Sequence, residues 1–192
     1  MAGIRAHMDI WSAKTSFSAI KERIEGVDMR AKTPRESMVE MTELVLPNDT
    51  NLLGNLLGGR LMHFIDVAGA MAAQRHSNRA VVTACIDSVD FRHPVKQGRA
   101  VILRAKVTWV GRTSMEVRVD VYSEDFLTGN REFNSKAYLT FVAVDSEGKP
   151  VEVCGLSPET EEEKREFEAA ARRREERLKR RKAMSENTAC SG

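Results

Sequence analysis

Cysteine is scarce in this chain. Cys85, Cys154 and Cys190 are the only three among 192 residues, widely spaced and with no CxxC pair. A disulfide framework is therefore excluded. The four histidines, His7, His63, His76 and His93, form no metal-ligand spacing with the cysteines. No apolar run approaches the roughly 20 residues that span a bilayer. The opening MAGIRAHMDIW has no apolar stretch of the secretory kind, so a reducing cytoplasm is the expected location. HExxH, P-loop and GxGxxG patterns are all missing, which implies neither a metal nor a nucleotide cofactor. Net charge is small too. The excess of +2 arises within residues 159–182, which hold ten Lys/Arg and eight Asp/Glu, while the remainder balances at twenty against twenty. Bulk charge thus lends the main part of the chain no support for nucleic-acid binding.

What is present suits one soluble globular domain with appendages: 42% hydrophobic and 30% charged residues. Three regions are expected: an N-terminal extension over 1–34, a domain over 35–157 and a charged tail over 158–192. Ile10, Trp11, Phe17, Ile20 and Ile24 would give residues 9–24 one apolar helical face. Residues 36–46 read as a strand ended by Pro47. A loop over 48–57 then empties through Gly58-Gly59 into a helix reaching His76. Leu61, Ile65, Ala68, Gly69 and Ala72 share one stripe of that helix, widened by Phe64, Val67 and Met71. So apolar a helix is central, and its small residues permit close approach to a sheet. Extended segments follow over 79–92, 99–110, 113–124 and 132–144, with clear alternation in Val101, Leu103, Ala105, Val107 and Trp109. Gly111-Arg112 suits a tight hairpin. From Pro158 onward the pattern is a charged helix, acids early and bases late, as a helix dipole favours. With few apolar residues it is expected to stay solvated and to fray over 185–192. The order predicts an α+β domain, an antiparallel sheet packed on one helix.

The loop and the helix start carry the chemistry. Asp66 borders the apolar stripe beside Met62, Gly69, Ala70 and Ala73, where a carboxylate would be partly desolvated and improved as a proton acceptor, while an acid at the solvent border of the stripe is its other explanation. Asn51 and Asn55 can each donate and accept hydrogen bonds, as holding a water or carbonyl requires, although Asn also favours turns in its own right. Gly58 and Gly59 present backbone N–H groups at a helix start, suited to an oxyanion, while close packing is their other explanation. No Ser-His-Asp or Cys-His arrangement is evident. Arg112 and neighbouring cations would attract a phosphate-bearing ligand if they surround a cleft.

Taken in order, Pro47-Asn48-Asp49-Thr50-Asn51, Gly54-Asn55, Gly58-Gly59, Leu61-Met62, Asp66 and Ala68-Gly69-Ala70 resemble the hot-dog-fold acyl-CoA thioesterases. Further matches are Val82-Thr83-Ala84, Asp87-Ser88-Val89-Asp90-Phe91 and Val110-Gly111-Arg112-Thr113-Ser114-Met115-Glu116-Val117, so the likeness covers about 38–145. The resemblance implies a sheet wrapped around a long central helix, dimers with a continuous sheet, and further assembly to hexamers. It implies hydrolysis of fatty acyl-CoA to free acid and CoA, with CoA as part of the substrate and no separate cofactor, metal, nucleic-acid or membrane partner. Asp66 would activate water, or attack the thioester itself, together with Asn55 of the partner protomer. Gly59 N–H would polarise the carbonyl with Gly58 beside it, and Asn51 would contact substrate. Arg112, Thr113 and Ser114 would hold the CoA portion. Leu52-Leu53 and Leu57 stand where relatives often carry other residues, which bears on acyl-chain preference. The competing function is a non-catalytic acyl-CoA sensor or scaffold, against which the presence of both Asp66 and Asn55 weighs. A related hydratase would want a histidine in the loop 48–57, which has none.

Overall fold

The computed structural model describes residues 29–89 and 92–189; the helix expected over 9–24 lies outside them. Five strands form one antiparallel sheet: β1 (Val39–Leu44), β2 (Ala80–Val89), β3 (Ala100–Val110), β4 (Ser114–Asp125) and β5 (Asn130–Val144), in the spatial order β1-β3-β4-β5-β2. The long helix α1 (Gly58–Ser77) lies between β1 and β2 in the chain, and the second helix, α2 (Glu161–Ala189), follows β5. This is the hot-dog fold, a curved antiparallel sheet around a central helix. The expected boundaries hold to within a few residues. The exception is the first strand, which starts at Val39 because Pro34–Ser37 form a 3-10 turn capped by Thr33 and Glu36.

Alternation decides which face of the sheet meets α1. Rows such as Ala105–Val119–Ala137 and Met115–Phe141 run straight across β3, β4 and β5. These side chains are buried with Leu61, Phe64, Ile65, Ala68, Ala72 and Ala73 of α1 in one core. Gly69 marks the closest approach. A Cβ there would meet the Phe141 ring at 3.0 Å. Each hairpin turns at a residue suited to it: Gly129 and Gly148 hold φ of +70° and +80°, a region that penalises a Cβ. At its far end α1 stops at left-handed Asn78, and Lys32 donates Nζ to the carbonyls of Arg75 (3.1 Å) and His76 (2.6 Å). A cation on the last carbonyls completes the helix end.

The tail departs from expectation. Rather than lying free in solvent, α2 docks on the sheet face opposite α1 and stays helical past 185 to Ala189. Its buried side is polar. Glu116 of β4 is fully buried and takes a two-pronged contact from Arg173 (2.7 and 3.2 Å), while Arg177 bonds Asp87 of β2 and reaches Glu116 at 3.4 Å. Glu166 accepts from Tyr138 (2.8 Å), Arg118 (3.1 Å) and Arg173 (3.2 Å). Arg173 also lies 3.8 Å over the Tyr138 ring, and Trp109 packs near Phe167. Burial pushes the Glu166 carboxyl up, but the Tyr138 hydroxyl and the two guanidiniums outweigh it and hold the group below its ordinary range. Among the described residues no helix is long and apolar enough to cross a membrane.

Two outcomes follow from this packing. Gly69→Val forces a branched side chain into Phe141 and is expected to cost about 1–3 kcal/mol of stability; urea denaturation reads it, and an unchanged midpoint would contradict the close approach. Burial, then the hydrogen bond to Glu166, raise the Tyr138 phenol from 10.0 to about 12. An unfolded tyrosine ionises near the lower value, so the stabilisation is complete below pH 10 and is lost as pH rises towards 12. Tyrosinate absorbance and Trp109 fluorescence should therefore break together in that window in wild type, and at lower pH in Glu166→Gln.

Candidate active site

The loop before α1 is a closed, self-bonded unit. Asn51 N donates to Asn55 O (2.8 Å), and Asn51 Oδ1 accepts from Leu53 N (2.9 Å) and Asn55 N (3.2 Å). Gly54 turns the chain at φ +69° and donates N–H to Asn51 O. Leu56 N donates to Val95 O and Gln97 N to Gly54 O, which tie the loop to the segment before β3, while Leu57 N closes the loop onto Asp49 O. Asp49 is nearly buried and pairs with Arg60 Nε in the first turn of α1 at 2.9 Å, while the Arg60 guanidinium sits 4.7 Å over Phe64. Loop and helix start are therefore joined by an ion pair and a cation–ring contact.

Leu57 occupies the N-cap position of α1 and has no side-chain acceptor to offer, and the first turn carries no acid. The opening N–H groups at Gly58 and Gly59 are thus left without a side-chain cap, at the positive end of the helix dipole. A Cβ on Gly59 would meet nothing within 4 Å. Close packing within the chain is not what that glycine serves.

Asp66 lies two turns further along α1 and is half-buried. Thr83 Oγ1 of β2 donates to its Oδ1 at 2.7 Å, and among the described residues its second oxygen has no partner. Asn55 is half-buried on the loop, its Oδ1 buried without a hydrogen-bond partner. Such an acceptor is costly to leave unpaired and favours a ligand or partner group that donates. Thr113 and Ser114 line a cavity on the opposite face of the sheet, whereas Arg112 is 82% exposed beyond it, 3.9 Å from Glu152. The structure thus groups Asn51, Asn55, Gly58 and Gly59 at one end of α1, sets Asp66 apart from them, and places Thr113 and Ser114 elsewhere again. The sequence does not single out Thr83, which the structure sets against Asp66. The segment Val82-Thr83-Ala84 showed the family likeness, but a threonine on a strand carries no periodic signal of its own. Burial, then the neighbouring Asp87, push the Cys85 thiol up and keep it from acting as a thiolate.

Known proteins share this fold. The thioesterase superfamily model matches residues 53–128. An uncharacterized acyl-CoA thioester hydrolase of Bacillus subtilis, YkhA, is 48% identical over 77% of this chain and 86% of its own length. A solved apo-hexameric acyl-CoA thioesterase superposes with TM-score 0.75 at 48% identity, covering 79% of this chain and 97% of that one. The acyl-CoA hydrolase of Staphylococcus aureus, solved with butyryl-CoA, CoA and CoA disulfide, gives 0.75 at 39% identity over 82% and 96%. The chain belongs to the acyl-CoA thioester hydrolases of the thioesterase superfamily.

If the Asp49–Arg60 pair clamps the loop, Arg60→Ala leaves a nearly buried carboxylate without its cation, at a cost of about 1–3 kcal/mol. Thermal denaturation should show the loss. Hydrogen exchange should quicken at Leu56 and Leu57 first; uniform exchange across the domain would count against the clamp.

Proposed function

We propose that this chain hydrolyses acyl-CoA thioesters to free fatty acid and CoA, by Asp66-assisted attack of water at a site built from two protomers. The observation that carries it is the half-buried Asp66, oriented by Thr83 with one oxygen left free. Asp66 accepts a proton from the attacking water as the oxygen adds to the thioester carbonyl. The oxyanion that develops is met by Gly59 N–H at the start of α1, and collapse of the tetrahedral intermediate expels the CoA sulfur. Asn55 and Asn51 hold the water or the carbonyl.

Helix geometry supports two protomers. Gly59 and Asp66 of one chain are seven residues apart, about 10 Å along the axis, too far to serve one carbonyl together. A second chain supplies the missing end. The edge strand β2 leaves Val82 and Ile86 exposed, and pairing there would extend the sheet and cover them. The hexameric relative favours assembly of such dimers. Alanine variants of the staphylococcal enzyme have been solved at an Asn, an Asp and a Thr, in that order, fifteen and seventeen residues apart. Asn51, Asp66 and Thr83 repeat both intervals, which gives Asn51 weight beside Asn55 and adds Thr83 to the site. Exposed Leu52, Leu53 and Leu57 offer an aliphatic surface by the loop for the acyl chain.

Asp66→Asn is expected to abolish thiol release from acyl-CoA while the oligomer persists by size exclusion. Tight acyl-CoA binding by the wild type with no thiol released would instead favour a sensor. The two-protomer site has its own test. Chains carrying Asp66→Asn and chains carrying Asn51→Ala with Asn55→Ala should each be inactive. Refolded together, they should recover about a quarter of wild-type activity, since half of the randomly paired dimers are mixed and each mixed dimer restores one site of two. No recovery would place the whole site within one chain.

A further inference from the structure

The edge strand β2 presents side chains to both faces of the sheet. On the inner face Thr83 stands in a row with Phe141 of β5 and Met115 of β4, core residues packed with α1. On the outer face Cys85 stands in the next row, with Thr140 and Glu116. In a regular strand Thr83 and Cys85, two residues apart, would share a face. They do not, because the pairing with β5 shifts register between them and leaves Ala84 as an extra residue. A second irregularity follows between Ile86 and Val89. Bulges re-aim side chains and interrupt the ladder. Within its own chain β2 is paired on one side, to β5. The ladder alone therefore does little to fix where Thr83 stands relative to Asp66.

Arg177 supplies what the ladder lacks. Its Nη1 donates to Asp87 of β2 and lies 3.4 Å from Glu116 of β4. In the sheet β5 separates those two strands. One guanidinium thus spans β5 and braces the bulged edge against the central strand. The brace is nearly dry: the side chains of Arg177 and Asp87 are 14% and 11% exposed, and that of Glu116 is 0% exposed. Parting such a pair strands a carboxylate away from water, so the contact allows little play. Asp87 Oδ1 also accepts from Cys85 Sγ at 3.6 Å, which ties the outer side of the bulge to the brace. Across the bulge is Thr83, whose Oγ1 donates to Asp66.

We propose that Arg177 is a positioning residue for hydrolysis: acting through Asp87 and the bulge at Ala84, it holds Thr83 Oγ1 against Asp66 from the far face of the sheet. This rests on the Asp66 mechanism proposed above. The contribution of Arg177 is the angle at which Asp66 presents its free oxygen to water, and proton transfer tolerates little error in that angle. Its loss therefore acts on turnover and not on binding.

The test compares wild type, Arg177→Met, Thr83→Val and the double variant as full-length oligomers. Arg177→Met is expected to lower kcat for acyl-CoA by about tenfold to a hundredfold, with KM within about twofold of wild type. Thr83→Val should lose a similar factor. The double variant should lose no more than Thr83→Val alone, because the two residues act in series. Arg177→Lys, which keeps a cation for Asp87, should regain most of the loss. An unchanged kcat in Arg177→Met, losses that multiply in the double variant, or a rise in KM that accounts for the whole effect overturns the proposal. If Arg177→Met does not fold, Asp87→Asn cuts the same brace with a side chain of the same shape and is read in the same way. A crystal structure of the variant gives a readout that needs no turnover: Thr83 Oγ1 should stand more than about 3.5 Å from both oxygens of Asp66, beyond hydrogen-bond reach. A wild type that releases no thiol refutes the hydrolase reading and leaves that distance to decide the brace. An intact bond from Thr83 to Asp66 in the variant overturns the brace even where hydrolysis is confirmed.

Discussion

The distance between α1 and the sheet sets everything else in this molecule. Gly69 has room for a hydrogen and no more against Phe141, and the small neighbours Ala68, Ala72 and Ala73 bring the helix down along its length. Dense packing transmits that closeness to the chemistry. Thr83 reaches Asp66 only because β2 runs near the helix, and a bulkier stripe on α1 would carry the carboxylate out of its reach. The same burial fixes the direction of the helix, and so where the uncapped N–H groups of its first turn point. Core and site are one constraint seen at two depths.

The sheet and the central helix were legible because each has a period. Alternation over 100–110 and 114–125 marks strands with one face buried, and the stripe from Leu61 to Ala72 marks a helix apolar around much of its girth. The glycine turns supplied the boundaries. The docking of α2 has no such signature. Around fully buried Ala170 its sheet-facing side sets partly buried Glu166, Arg173 and Arg177, residue types that belong in solvent unless paired. The partner of Arg173 is Glu116, 57 residues earlier in the chain, on the strand face opposite core residues Met115 and Val117. Pairing at that range cannot be inferred from composition, so the tail looked like a solvated helix.

The candidate site divides along the same line. Asp66, Asn55 and the glycine pair were found because the loop and the helix start are contiguous in sequence. Thr83 arrives from another strand, and the family likeness of its segment did not reveal its hydrogen bond. For Gly59 the structure removes one explanation, since a side chain there would touch nothing in its own chain. The unpaired Oδ1 of Asn55 is a similar sign, a buried acceptor with its donor still to come.

A buried ion network is weak evidence for stability, because desolvation offsets most of what the pairing contributes. Its stronger effect is on register. A helix held by apolar contacts alone can slide or roll at small cost, whereas the two-pronged contact of Arg173 with Glu116 and the bond from Arg177 to Asp87 admit one rotation and one height. Arg174 follows Arg173 directly in sequence, and Arg180 lies less than one turn beyond Arg177. Fixing the paired arginines therefore fixes the stretch of helix that carries the exposed Arg174 and Arg180. On this view Glu116 and Asp87 set the register of α2, and its polar face is what allows a mostly hydrophilic helix to sit on the sheet in one orientation.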